Sequence, residues 1–342
     1  MKNVIHSLAR SPGAWCAITI LSVFAAPSAR AQALSVVSDP VGFTHVTIPA
    51  ATPGNTTRRA LAIPYHRSSV FRGTMTSAGL KTLTFDGANW TAGQFTTAVH
   101  FSEVRAGGQA GRHFRITSNT TDTLTVDNDG LNLATLVKNG DTVEIFSAHT
   151  LGSLFGTTSV PFQTGADENT ADLVRLRTAA GWVSYFHDGT KWRTPGSAAS
   201  RNGVVLRPDE AVFIVARGNN PVSFDILGAV AVKKQRSAIP GSGQALLGNR
   251  FPAPTTLDAL GIEKVTGWTA GGTAAITDNV LIWNGTAWNI FYFNTNNWER
   301  VGSFSNANNT AITATTAILI NRKPDASGSD VQLSTTPPFT YP

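Results

Sequence analysis

Short apolar or alternating stretches, each closed by a turn pair, recur along most of the chain. Near the C-terminal end, "VLIW", "AWNIFYF" and Trp298 are separated by Asn284-Gly285 and by "NTNN". Successive side chains of a strand point to opposite faces. Trp288, Ile290 and Tyr292 therefore share one face, and Asn289, Phe291 and Phe293 the other. In 181–187, Trp182, Ser184 and Phe186 oppose Val183, Tyr185 and His187. Both faces are largely apolar, which predicts strands covered on both sides. Between residues 70 and 149, "KTLTF", "HFRIT", "TLTVD" and "DTVEIF" are rich in β-branched and aromatic residues. Asp86-Gly87, Asp129-Gly130, Asn139-Gly140, Asp188-Gly189 and Asn202-Gly203 mark tight turns, because Asn and Gly tolerate positive φ. Helical pattern is confined to one turn in "LNLATLVK" and to "TLDALG", with Thr256 as cap and Gly261 as stop.

Two of these patterns are versions of each other. At an offset of 106, Trp182 and Trp192 fall on Trp288 and Trp298, Asp172 on Asp278, Gly165 on Gly271, and Gly196-Ser197 on Gly302-Ser303. One register held over about sixty residues predicts an internal repeat. Upstream the offset is 186: Asp39-Pro-Val-Gly42 matches Asp225-Ile-Leu-Gly228, and Leu61 and Tyr65 match Leu247 and Phe251. The two offsets differ by 80 residues, the length of an insert in the first copy. The predicted fold is all-β: a tandem duplicated β-sandwich or barrel-like domain with a small β-barrel-like module inserted in the first copy. Its expected parts are a signal peptide at 1–31, copy one at 32–69 plus 150–224, the inserted module at 70–149, and copy two at 225–342.

The start of the chain adds a compartment. Lys2 and Arg10 precede an apolar run from Ala14 to Ala26, and Ala29-Arg30-Ala31 forms a small-x-small cleavage site. Cleavage is expected between Ala31 and Gln32, and export to the periplasm, the medium or the surface of a bacterium follows. Removing the leader takes three basic residues and lowers the formal charge from +6 to +3. It also removes Cys16, the chain's one cysteine, so a disulfide scaffold is excluded. No second apolar run long enough for a membrane span follows. Arg58-Arg59 and Lys233-Lys234-Gln235-Arg236 are the only basic clusters. They are read as solvated turns, and nucleic acid is not an expected partner.

Catalytic motifs are sparse. There is no Gly-x-Ser-x-Gly elbow and no His-Glu-x-x-His. Asp127-Asn128-Asp129-Gly130 lacks the flanking carboxylates of a calcium loop and reads as a turn. Gly107–Gly111 could cradle an anion but opens no long helix, so a loop is favoured. Asp39, Asp172, Asp225 and Asp278 could serve glycoside hydrolysis as paired carboxylates, yet each borders a strand or a turn, where Asp bonds nearby backbone. The six His residues beyond the leader show no ligand spacing. No cofactor and no metal is expected. Trp182 and Trp288 are read as core, while Trp192 and Trp298, which follow turns, are the candidates for exposure and for stacking on a ligand.

The block formed by Trp182, Tyr185, Phe186, Trp192, Gly196, Phe213, Ile214, Val215 and Arg217 resembles an uncharacterised family of secreted β-rich bacterial proteins with a recurring W…YF…W…G…FIV.R pattern. The second copy departs from it: Leu319 stands for Phe213, and Arg322 lies one place off register. The resemblance implies secretion and β architecture and carries no activity. The expected function is a non-enzymatic surface, matrix or adhesion-type protein, its partner a polysaccharide or another surface protein. The alternative is a carbohydrate-binding module or a carbohydrate-active hydrolase.

Overall fold

A computed structural model describes residues 39–324 and 330–341 as an all-β protein. Two five-stranded antiparallel sheets form its frame. The first runs Trp192–Arg193, Gly181–His187, Leu173–Thr178, Ala211–Ala216, Thr57–Ala62 in spatial order. The second runs Trp298–Arg300, Trp288–Phe293, Asn279–Trp283, Ala317–Arg322, Gly243–Gly248. Position for position the order is the same. The last strand of each sheet starts 186 residues from its counterpart, at Thr57 and Gly243; the central ones start 106 apart, at Ala211 and Ala317.

Both faces of each sheet are buried, as the apolar runs require. One face of the first sheet packs Leu61, Val174, Val212 and Ile214 against Val46, Ile48, Val222 and Ile226 and against Phe155 of the Leu151–Phe155 helix. The second sheet does likewise with Ile239 and Leu333. Their other faces meet in a seam of Ala60, Leu173, Phe213 and Val215 from the first sheet and Leu246 and Leu319 from the second. Contacts at its edge are reciprocal. Leu61 bridges Thr316, and Leu247 bridges Glu210. Ala62 N–H donates to Thr315 O at 3.0 Å, and Gly248 N–H to Asp209 O at 3.1 Å. Under the two offsets these pairs exchange, the pattern of a two-fold contact. A Cβ on Gly248 would stand 3.1 Å from that of Ala62, so the close approach is made possible by a glycine.

The 186-residue register holds from Thr57 onward but fails at Asp39–Gly42. Gly42 and Gly228 are cross-strand partners in one sheet, and Asp225 faces His45. The Val222–Val230 strand crosses the expected boundary at 224/225, because it closes the first core by pairing with Val41–Ile48. The strand that pairs likewise with Val331–Thr335 is Gln235–Ile239. Asp39–Gly42 and Asp225–Gly228 look alike because neighbouring strands under one core need similar residues. The two basic clusters also differ from expectation: Arg58 and Arg59 lie in a strand, and Gln235 is buried within another.

Residues 69–147 form a seven-stranded sheet in which no other segment takes part. Its two outermost strands, Ser69–Thr74 and Ser77–Ala78, are separated by two residues. The sheet must therefore curl until its edges adjoin. Val104, Phe114, Val143 and Ile145 fill a core with Phe85, Trp90 and Leu133. The alternate positions point the other way. Arg72, Glu144, Glu103 and His113 stand opposite one another across four strands, in one row. Glu103 and Glu144 are almost wholly buried. Arg105 Nε lies 3.0 Å from Glu144, Gln235 donates to Glu103 at 2.9 Å, and Arg250 lies 3.6 Å from it. His113 faces Asp209 at 3.4 Å. Arg236 donates to the carbonyls of Ala110 and Gly108, so the Gly107–Gly111 loop receives a cation. A Cβ on Gly111 would fall 2.5 Å from Lys234 O, which explains the glycine.

Candidate functional site

The structure reverses the assignment of the tryptophan pairs. Trp192 and Trp298, the predicted stacking residues, are fully buried. Each follows a turn, but the turn folds the strand back over the core. Trp192 packs on Phe155, Phe162 and His187, and its indole N–H donates to Gly156 O at 2.8 Å. Trp298 packs on Trp268 and Phe293 and donates to Glu263 at 3.3 Å. Their backbone N–H groups are each held by an asparagine, Asn202 and Asn308, at 2.8 Å. Neither ring can meet a ligand without unfolding its core. Trp182 and Trp288, read as core, are only half-buried at the seam.

The shared acids are also engaged. Asp172 accepts from Gln163 N at 2.8 Å and from Arg217 N at 2.6 Å. Asp278 accepts from Thr269 N at 2.8 Å and Lys323 N at 2.7 Å. Each carboxylate thus pins two loops, and Asp278 further pairs with Arg322 at 2.9 Å. Asp225 pairs with His45, and Asp39 with Arg72. Among the described residues no three His, Cys, Asp or Glu side chains group to hold a metal, and no helix is long and apolar enough to cross a membrane. The cleavage residues Ala31 and Gln32 lie outside the described residues.

Two clefts remain. One of about 460 Å³ lies where the seven-stranded sheet leaves and rejoins the frame, between Arg67, His149, Leu154, Asp225 and Leu227. Burial pushes His149 down to about 4, and the nearby Arg67 charge adds to this, so its imidazole is neutral at pH 7. The other, about 370 Å³, opens at the seam between the two five-stranded sheets. Its walls carry Arg58 and Arg59 from the first sheet, Trp283 from the second, and the hydroxyl residues Thr57, Thr313 and Thr315. Trp283 is fixed from several sides. Its N–H donates to Arg58 O at 3.0 Å, and its ring meets Phe213 edge-on at 5.2 Å and Trp288 at 5.3 Å. Arg59 donates to Thr47 O at 2.9 Å and Thr315 Oγ1 at 3.1 Å. Burial holds its guanidinium below its usual value.

Comparison of the chain with protein-family models, with curated proteins and with solved structures gave no match. Sequence reasoning missed the seam cleft. Its one visible signal was Arg58-Arg59 interrupting an otherwise apolar strand. Trp283 has no tryptophan counterpart in the first half, where Arg177 stands at that offset, so the repeat drew no attention to it.

Proposed function

We propose that this is an exported, non-enzymatic binding protein of the surface, matrix or adhesion type, built from two copies of one β domain with a small β module inserted in the first. The observation that carries the reading is that the residues the two halves share are consumed by the scaffold. Trp192 and Trp298 fill cores, and Asp172 and Asp278 pin loops through backbone amides. Such duplication makes a rigid frame. The polar groups left for a ligand are those that differ between the halves, in the seam cleft and beside the module. The equal strand orders and reciprocal seam contacts support the duplication. Export rests on the Ala29-Arg30-Ala31 site.

The test has two arms. N-terminal sequencing of secreted protein should begin at Gln32; exported material starting at Met1 would refute the leader. The mature chain should be retained on glycans or on cell-surface fractions without altering them. Release of reducing sugars from a retained polysaccharide would replace this reading by the hydrolase.

A further inference from the structure

The seam cleft holds an electrostatic imbalance. Arg59 is half-buried, yet its guanidinium bonds only neutral oxygens, Thr47 O and Thr315 Oγ1. Among the described residues it has no carboxylate partner, and neither has Arg58, an exposed residue that also lines the cleft. No Asp or Glu contributes to the lining. An arginine withdrawn from water without a counter-ion is costly, and a bound anion relieves that cost. Arg236 is likewise half-buried against neutral carbonyls alone, whereas several other arginines are paired. Arg72, Arg105, Arg250 and Arg322 each lie within ion-pair distance of an acid. At Arg59 the imbalance coincides with a cleft of about 370 Å³, the size of a small-ligand site.

The rest of the lining narrows the ligand. Trp283 supplies a fixed aromatic wall, and Thr57, Thr313 and Thr315 supply hydroxyls. A guanidinium fork matches a carboxylate in two-point fashion. Apolar area beside hydrogen-bonding hydroxyls suits the mixed faces of a sugar ring. We infer that the seam cleft binds a carboxylate-bearing saccharide, a uronic-acid unit of an acidic polysaccharide, with Arg58 and Arg59 supplying positive charge from the two faces of their edge strand and Trp283 against the ring. This rests on the surface-binding reading above and names its ligand.

The experiment titrates the mature full chain with polygalacturonate, with heparin as a sulfated comparator, with dextran as a neutral one and with single-stranded DNA. Wild type should prefer polygalacturonate, with binding that weakens as salt rises. Arg58→Gln should weaken it about tenfold, equivalent to about 1.4 kcal/mol, and Trp283→Leu severalfold. Arg59→Gln should do at least as much as Arg58→Gln. Because Arg59 also bonds Thr47 and Thr315, its thermal unfolding is measured alongside, and Arg58→Gln, which loses no intramolecular side-chain bond, carries the test if Arg59→Gln unfolds. Equal binding by wild type and a folded Arg58→Gln would overturn the inference, as would equal affinity for dextran or preference for heparin or DNA. Binding of a neutral glycan or of a surface protein, indifferent to Arg58 and Trp283, overturns the acidic-saccharide site and leaves the surface-binding reading standing. Retention on no glycan and no surface fraction overturns both.

Discussion

The seam between the two five-stranded sheets and the contact face of the seven-stranded sheet are both buried, by opposite chemistry. The seam is apolar: Phe213 meets Trp182, Trp283 and Trp288 at 5.2–5.7 Å, over Ala60, Leu246 and Leu319. The contact face of the seven-stranded sheet is ionic: Glu103, Glu144, His113, Asp209 and Arg250 are buried, and Arg105 is partly so. An apolar contact depends on area and shape and is indifferent to pH. A buried ionic contact gains little net stability over an apolar one, but removing one partner strands the other. The seam thus depends on close packing, while the face of the seven-stranded sheet depends on matched charges.

Single substitutions can break that contrast. Phe213→Ala removes a ring contacting three tryptophans and should cost about 3–5 kcal/mol in thermal or denaturant unfolding. The loss should be the same at pH 5 and pH 8; a loss that changed with pH would show that the seam is not the apolar contact described. Glu103→Ala removes the carboxylate beside the buried Arg250 guanidinium and an acceptor of the Gln235 amide, and should cost about 3 kcal/mol. A cost below about 1 kcal/mol, the level of an exposed ion pair, would mean that water enters this face.

The acids flanking both contacts separate them further. Burial alone would raise Asp209, but His113, Arg207 and Arg250 around it hold its carboxyl well below the usual range. Its contribution is present above the unfolded value near pH 4 and lost as pH falls below that. Glu210, beside it at the seam edge, behaves oppositely. Burial pushes it up to about 7, the Arg207 backbone N–H partly offsets this, and the Asp209 charge adds to it. The folded state then holds a proton that the unfolded chain has released, so stability falls as pH rises from about 4.5 through 7. Glu210→Gln should abolish that decline, on the order of 2 kcal/mol between pH 5 and pH 8. Parallel pH profiles for the two proteins would count against a buried Glu210. The smallest effect belongs to the edge of the seam. Gly248→Ala places a methyl 3.1 Å from Ala62 Cβ and should cost about 1 kcal/mol, and Ala62→Gly in the same chain should recover most of it.

Much of the secondary structure was legible in the sequence. Period-two patterns and Asx-Gly turns placed most strands. "LNLATLVK" contains the Leu133–Leu136 helix, and "TLDALG" a 3-10 turn ended by Gly261 at φ +64. The 106-residue register pointed to two sheets of equal strand order, and residues 70–149 to a sheet of their own. Alternation says which residues share a face, but it does not say what that face meets. So it could not tell that Trp192 lies in a core and Trp182 at a seam, since Trp182 belongs to a strand apolar on two sides and Trp192 to a two-residue strand after a turn. It read "DTVEIF" as a strand without showing that Glu144 is buried, because burial of a charge depends on partners far away in the chain, here Arg72 and Arg105. Nor could it separate Gly42 and Gly228 as cross-strand neighbours from the same pair as repeat equivalents. Local side-chain sterics and hydrophobic period determined the strands, the turns and the all-β class. Only the tertiary structure decided which tryptophans are covered, which charges are paired, and that Arg58, Arg59 and Trp283 come together across the seam from positions more than two hundred residues apart.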